Sequence, residues 1–159
     1  MPITPLHFGV LAPVNHFFPG KVSIWSFALI NLWMDYEAIF YAAFKVGGPI
    51  AHEPMTHSLL AALVFGSILA VFGFRSRKWV LGAYYGGVTH VILDSLVHTD
   101  IQPLYPIHWN PFYIGLMEPV SWVLVPLLIW FVIQYVSDAR VAIQKAWESS
   151  VFSKNRKDF

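Results

Sequence analysis

Four apolar stretches, residues 23–44, 58–74, 79–97 and 119–136, limit what this chain can fold into. Each approaches or exceeds the length that crosses a bilayer as a helix, and the first alone reaches ~33 Å at 1.5 Å per residue. Hydrocarbon offers no partner to bare backbone N–H and C=O groups, so stretches of this kind cross it as helices. With 57% hydrophobic and 12% charged residues, a chain of 159 residues is too apolar for a soluble domain and too short for two. The pattern predicts an all-α protein, a polytopic membrane helix bundle with four long spans. Residues 5–18 add a short N-terminal half-span or re-entrant helix, interrupted by Pro13. Residues 1–152 read as a single integral membrane domain. Its last helix continues past Val136 as an amphipathic segment, and residues 153–159 form a polar basic tail.

Charge orients the spans. Arg75, Arg77 and Lys78 crowd one turn, and Lys21, Arg140 and Lys145 fall on the same side. The opposite side carries Lys45, and the loop over 99–118 has no Lys or Arg. The positive-inside rule then predicts a multi-pass protein of the plasma (inner) membrane with its C-terminus cytoplasmic. The N-terminus lacks the basic region of an ordinary signal peptide. A net charge of +1 gives no nucleic-acid signal. The chain has no cysteine, so any metal must be held by nitrogen and oxygen ligands.

Against that apolar background stand His7, Asp35, Glu37, His52, His57, His90 and Asp94. A carboxylate at mid-bilayer costs about 2.5–3.5 kcal/mol on insertion scales, so such groups need a partner and mark function. The predicted topology brings residues 7 to 94 to one level, near the outer face. His90 and Asp94 are spaced i, i+4 on one helical face, and His98 extends that stripe. Asp35 and Glu37 point about 200° apart on an ideal helix. Either the helix unwinds there, or the two serve different metals, or only one is a ligand. His52 and His57 flank a loop broken by Pro54, with Thr56 as a candidate helix N-cap. His16 and His108 read as structural, and Trp109, Phe112, Tyr113 and Trp122 as an interfacial aromatic belt.

In order, Thr4-Pro-Leu-His7, the Asp35/Glu37 pair, His52-Glu53-Pro54-Met55-Thr56-His57-Ser58-Leu59, Gly87-Val-Thr-His90 with Asp94, and Pro103-Leu-Tyr-Pro106 resemble the YdjM-like inner-membrane metal-dependent hydrolase family. That family is distantly similar to zinc phospholipase C and the single-strand-specific zinc nucleases. The resemblance covers roughly residues 4–106. It implies that His7, Asp35, Glu37, His52, His57, His90 and Asp94 are metal ligands. Two departures stand out. Glu53 occupies a place where the family usually has Arg, and Tyr105 stands where the zinc phospholipase signature has a ligand His.

The expected cofactor is one or two divalent metal ions, zinc first, with manganese or iron as alternatives, because His plus carboxylate suits all three. The expected chemistry is hydrolysis of a phosphoester, on a small molecule or a lipid, by metal-activated water. Asp94 would bridge metals or act as base, and Glu53 would act as general acid. A transporter of metal ions or protons would use the same cluster as a path. A b-type haem bundle with axial His57 and His90 leaves Asp35, Glu37 and Asp94 without a role. A purely structural membrane partner, with the polar groups serving packing, is the remaining alternative.

Overall fold

A computed structural model describes residues 4–36, 39, 44, 55–115 and 117–155. Among these the regular structure is entirely helical: α1 (Thr4–His7), a 3-10 turn (Phe8–Val10), α2 (Leu11–Phe17), α3 (Ile24–Met34), α4 (Leu59–Phe72), α5 (Arg77–Val97) and α6 (Met117–Asn155). Among the described residues, two helices are long and apolar enough to cross a membrane: α5, with 21 residues, and the 31-residue stretch Pro119–Ser149 of α6. α3 and α4 are apolar but shorter, at 11 and 14 residues. The stretch predicted to span 23–44 is helical from Ile24 to Met34 and capped by Asp35; beyond Asp35, only residues 36, 39 and 44 are described.

Local chemistry sets the helix starts. Ser23 caps α3, its Oγ accepting from Ser26 N at 3.4 Å. At α4 the cap is Ser58 and not Thr56, with Ser58 Oγ accepting from Ala61 N at 3.1 Å. Thr56 Oγ1 instead lies 3.1 Å from His57 Nδ1. The hydroxyl expected at the helix end is therefore engaged with an imidazole.

α5 is the central helix. α3 lies parallel to it: Ser23 N donates to Lys78 O at 2.8 Å and Ser26 Oγ to Trp79 O at 2.8 Å, both near the start of α5. α4 returns antiparallel through the turn at Gly73–Ser76, pinned by Trp79 Nε1 donating to Leu69 O at 2.9 Å. The α3–α5 seam is close because Gly86 faces it. A Cβ there would stand 2.5 Å from Ile30 Cγ2 and 3.2 Å from Phe27 Cα. Gly82 lies one turn earlier on the same face, giving the small-xxx-small spacing that lets backbones approach in a membrane.

The N-terminal segment runs antiparallel to α5, between it and α6. His7 lies beside His90 and Asp94, and Val10 O accepts from Tyr85 Oη at 2.9 Å. Gly9 allows the approach to α6, since a Cβ would meet Leu124 O at 2.8 Å. Leu11, Ala12, Phe27 and Phe131 close one core cluster, and Ile30, Met34, Ala62 and Val91 the other. Outside these, large apolar side chains such as Trp25, Phe72, Trp122 and Ile133 are exposed. Extensive apolar exposure marks a surface that meets lipid or a partner.

The loop over 98–115 is fastened across one end of the bundle. Asn110 Nδ2 donates to Ser95 O at 2.9 Å and His98 O at 3.0 Å, Ile114 N to Leu96 O at 3.1 Å, and Leu59 N to Pro103 O at 2.9 Å. Within it Ile101 and Pro103 are fully buried. The other end carries Lys21, Arg75, Arg77 and Lys78.

Candidate metal centre

Three helices end or pass at the level of this covered cap, and each delivers a ligand type. α5 supplies His90 and Asp94, one turn apart, with His90 Nε2 3.1 Å from Asp94 Oδ2. α3 stops at Met34, so Asp35 is its C-cap and projects from the helix end toward α5. Asp35 Oδ1 lies 3.4 Å from His90 Nε2 and 3.6 Å from His57 Nε2. His57 precedes the cap of α4. One ligand atom from each of Asp35, His57, His90 and Asp94 falls within 4.8 Å of the others, and all four residues are buried. His7 adds a fifth group from the end of α1: its Nε2 is 3.3 Å from Asp94 Oδ1. Asp94 thus turns one oxygen to His90 and the other to His7.

The orientation of His90 decides what this cluster is suited to hold. Asn31 lies one turn before Asp35 on α3. Its Nδ2 donates to Phe27 O at 2.7 Å, so its Oδ1 is the acceptor 2.9 Å from His90 Nδ1. His90 therefore carries a proton on Nδ1. In the neutral ring Nε2 is then a lone pair aimed at two carboxylate oxygens, an acceptor facing acceptors. A proton, on the ring or on one carboxyl, or a metal ion resolves that arrangement. His7 points the same way: its Nε2 faces Asp94 Oδ1 at 3.3 Å, and its Nδ1 is buried with no hydrogen-bond partner. Leaving a buried polar atom unpaired costs ~1–3 kcal/mol. Ligation with the second ring nitrogen held by a carbonyl is the usual arrangement of a metal-bound histidine. The residues present fit a divalent metal with N and O ligands, and they do not select which one.

Of the ligands predicted from sequence, the fold brings together His7, Asp35, His57, His90 and Asp94. Glu37, His52 and Glu53 lie outside the described residues. His98 caps α5 outside the four-residue group. His16 packs against Trp130 with ring centroids 5.4 Å apart, away from the cluster. His108 Nδ1 lies 2.7 Å from Gln102 Oε1 in the covering loop. Asn31 was not among the predicted residues. Its signal was available: an amide inside an apolar stretch, four residues before Asp35 and so on the same face.

A bundle with membrane-length apolar helices and a buried His/Asp group near one end defines a membrane protein with a candidate metal centre. The model of the YdjM inner membrane protein family matches residues 10–153. The chain belongs to that family. His7 precedes the matched region. No curated protein and no solved structure matches the chain. The family description names a membrane and no reaction, so the chemistry rests on the site itself.

Proposed function

We propose that this chain is a membrane-embedded, metal-dependent hydrolase of a phosphoester. The observation that carries the reading is the buried group of Asp35, His57, His90 and Asp94, with His90 Nδ1 tied to Asn31 and Nε2 turned to both carboxylates. In this reading those four residues hold the ion, zinc before manganese or iron. When bound, it supplies Lewis acidity toward the phosphoryl oxygen and activates water. Two carboxylates balance a divalent charge in a site closed to solvent, and the two imidazoles contribute neutral nitrogen ligands. Asp94 presents its second oxygen to His7, so His7 would join the residues that hold the metal. Glu37 and His52 complete the proposed ligand set. Glu53 is assigned to proton transfer at the leaving oxygen. The cluster end faces outward and the basic end with the C-terminus faces the cytoplasm, as the distribution of Lys and Arg predicts.

The test is metal analysis of protein purified in detergent, followed by assay against a phosphoester panel. Wild type is expected to carry divalent metal, and His90→Ala and Asp94→Ala to lose most of it while keeping their helical circular dichroism. Hydrolysis should stop on chelation and return with zinc or manganese. Full occupancy in both variants removes the metal reading. Metal-loaded protein that hydrolyses nothing but carries metal into liposomes would establish transport instead.

A further inference from the structure

A groove opens on the outer face of the bundle between α3 and α4. Its upper part is a cavity of about 560 Å³ lined by Leu29, Leu32, Trp33, Tyr36, Thr56 and Phe65. Leu29, Trp33 and Phe65 also line a second cavity of about 190 Å³, which continues along the same seam to Ile68, Leu69 and Phe72. The Trp33 and Phe65 rings, with centroids 5.7 Å apart, form the waist between the two. From Tyr36 to Leu29 the groove follows ~10 Å of helix.

Its polarity is graded. Among the described lining residues, hydroxyl groups occur only at the upper end, on Tyr36 and Thr56. These are the sequence neighbours of Asp35 and His57, and Thr56 Oγ1 lies 3.1 Å from His57 Nδ1. Below them every lining residue is apolar. Generic lipid contact explains an apolar wall but not a wall that ends on hydroxyl residues adjacent in sequence to two metal-ligand candidates. An amphiphile with a charged head and one hydrocarbon tail matches both ends. The head would reach the cluster from the bilayer side, since Ile101 and Pro103 close the cap above it.

We infer that the substrate is a lipid phosphoester whose hydrocarbon chain lies in the α3–α4 groove, with its phosphoester at the Asp35–His57 end. This rests on the phosphoester reading above and narrows it to a lipid. The hydroxyls of Thr56 and Tyr36 mark where the head leaves hydrocarbon.

The test uses dodecyl phosphate bearing a terminal diazirine, irradiated with the full chain in lipid nanodiscs. The expected label falls on residues 29–36, along α3 and just past its end, and on 65–72 of α4. Unlabelled dodecyl phosphate at about ten times its Kd should leave about a tenth of that label, whereas dodecanol should leave it intact. Label on the exposed α6 positions Ile129 and Ile133 should respond to neither competitor. Groove label that dodecyl phosphate fails to compete, or that dodecanol competes equally, overturns the inference and leaves hydrolysis of short phosphoesters to stand or fall alone. Head-specific competition without hydrolysis keeps the groove as a lipid-phosphate site and removes the enzyme.

Discussion

Asn31 is the residue whose role is most sharply testable. It fixes the His90 tautomer by accepting from Nδ1 while Phe27 O holds its own amide in place. Removing that support should cost metal affinity without removing a ligand. Asn31→Ala is expected to weaken binding by about 10–100-fold, the usual effect of losing such a partner. Asn31→Asp restores an acceptor and should recover much of the loss. Competition with a chromophoric chelator measures both. Equal affinity in wild type and Asn31→Ala would mean that His90 does not ligate through Nε2. The sequence made Asp35, His90 and Asp94 legible because ionisable groups in apolar stretches are conspicuous. It did not reveal how Asp35 would be aimed. The ambiguity with Glu37 rested on an ideal helix, and α3 ends at Met34, so Asp35 takes its direction from a helix terminus.

Between elements, the His/Asp cluster depends on how closely α3 approaches α5. Asp35 rides on α3, and His90 and Asp94 on α5, so their mutual distances follow from the seam at Gly86. A methyl group at Gly86 would collide with the branched Ile30 side chain 2.5 Å away, with the Phe27 backbone close behind. Neither neighbour is the far end of a flexible chain. Gly86→Ala should therefore push the helices apart, destabilise the fold by ~1–3 kcal/mol and weaken metal binding together. Leu81→Ala, at an exposed position of the same helix, should stay within about 0.5 kcal/mol of wild type. Thermal unfolding in detergent and chelator competition read the two effects. A Gly86→Ala protein with native stability and affinity would show that the seam is not tight. Apolar runs told where helices lie, and the charge pattern already made spans 23–44 and 79–97 run the same way, but that α3 packs against α5 is seen in the hydrogen bonds of Ser23 and Ser26 to the start of α5. Nothing in the period of those runs carries that information.

For the molecule as a whole, the distribution of charge makes a prediction about sides. Ser23 N bonds to Lys78 O, which places Lys21 at the same end as Arg75, Arg77 and Lys78. The His/Asp cluster and the loop over 98–115, free of Lys and Arg, occupy the other end. α6 starts at the cluster end. Its apolar stretch Pro119–Ser149, with 31 residues, is longer than a ~30 Å hydrocarbon core requires. The surplus, with Arg140 and Lys145, extends beyond the basic end. If that end is cytoplasmic, an impermeant thiol reagent should label Ile107→Cys in intact cells. Ser76→Cys and Ser149→Cys should react only after permeabilisation. The chain has no native cysteine, so each signal has one source. Ser76 makes no side-chain cap bond, Ile107 is exposed, and Ser149 is on the exposed end of α6, so the substitutions disturb little. Labelling of 76 and 149, but not 107, from outside would invert the orientation and put the metal cluster on the cytoplasmic side. The candidate substrate would then be one that reaches the protein from the inner leaflet.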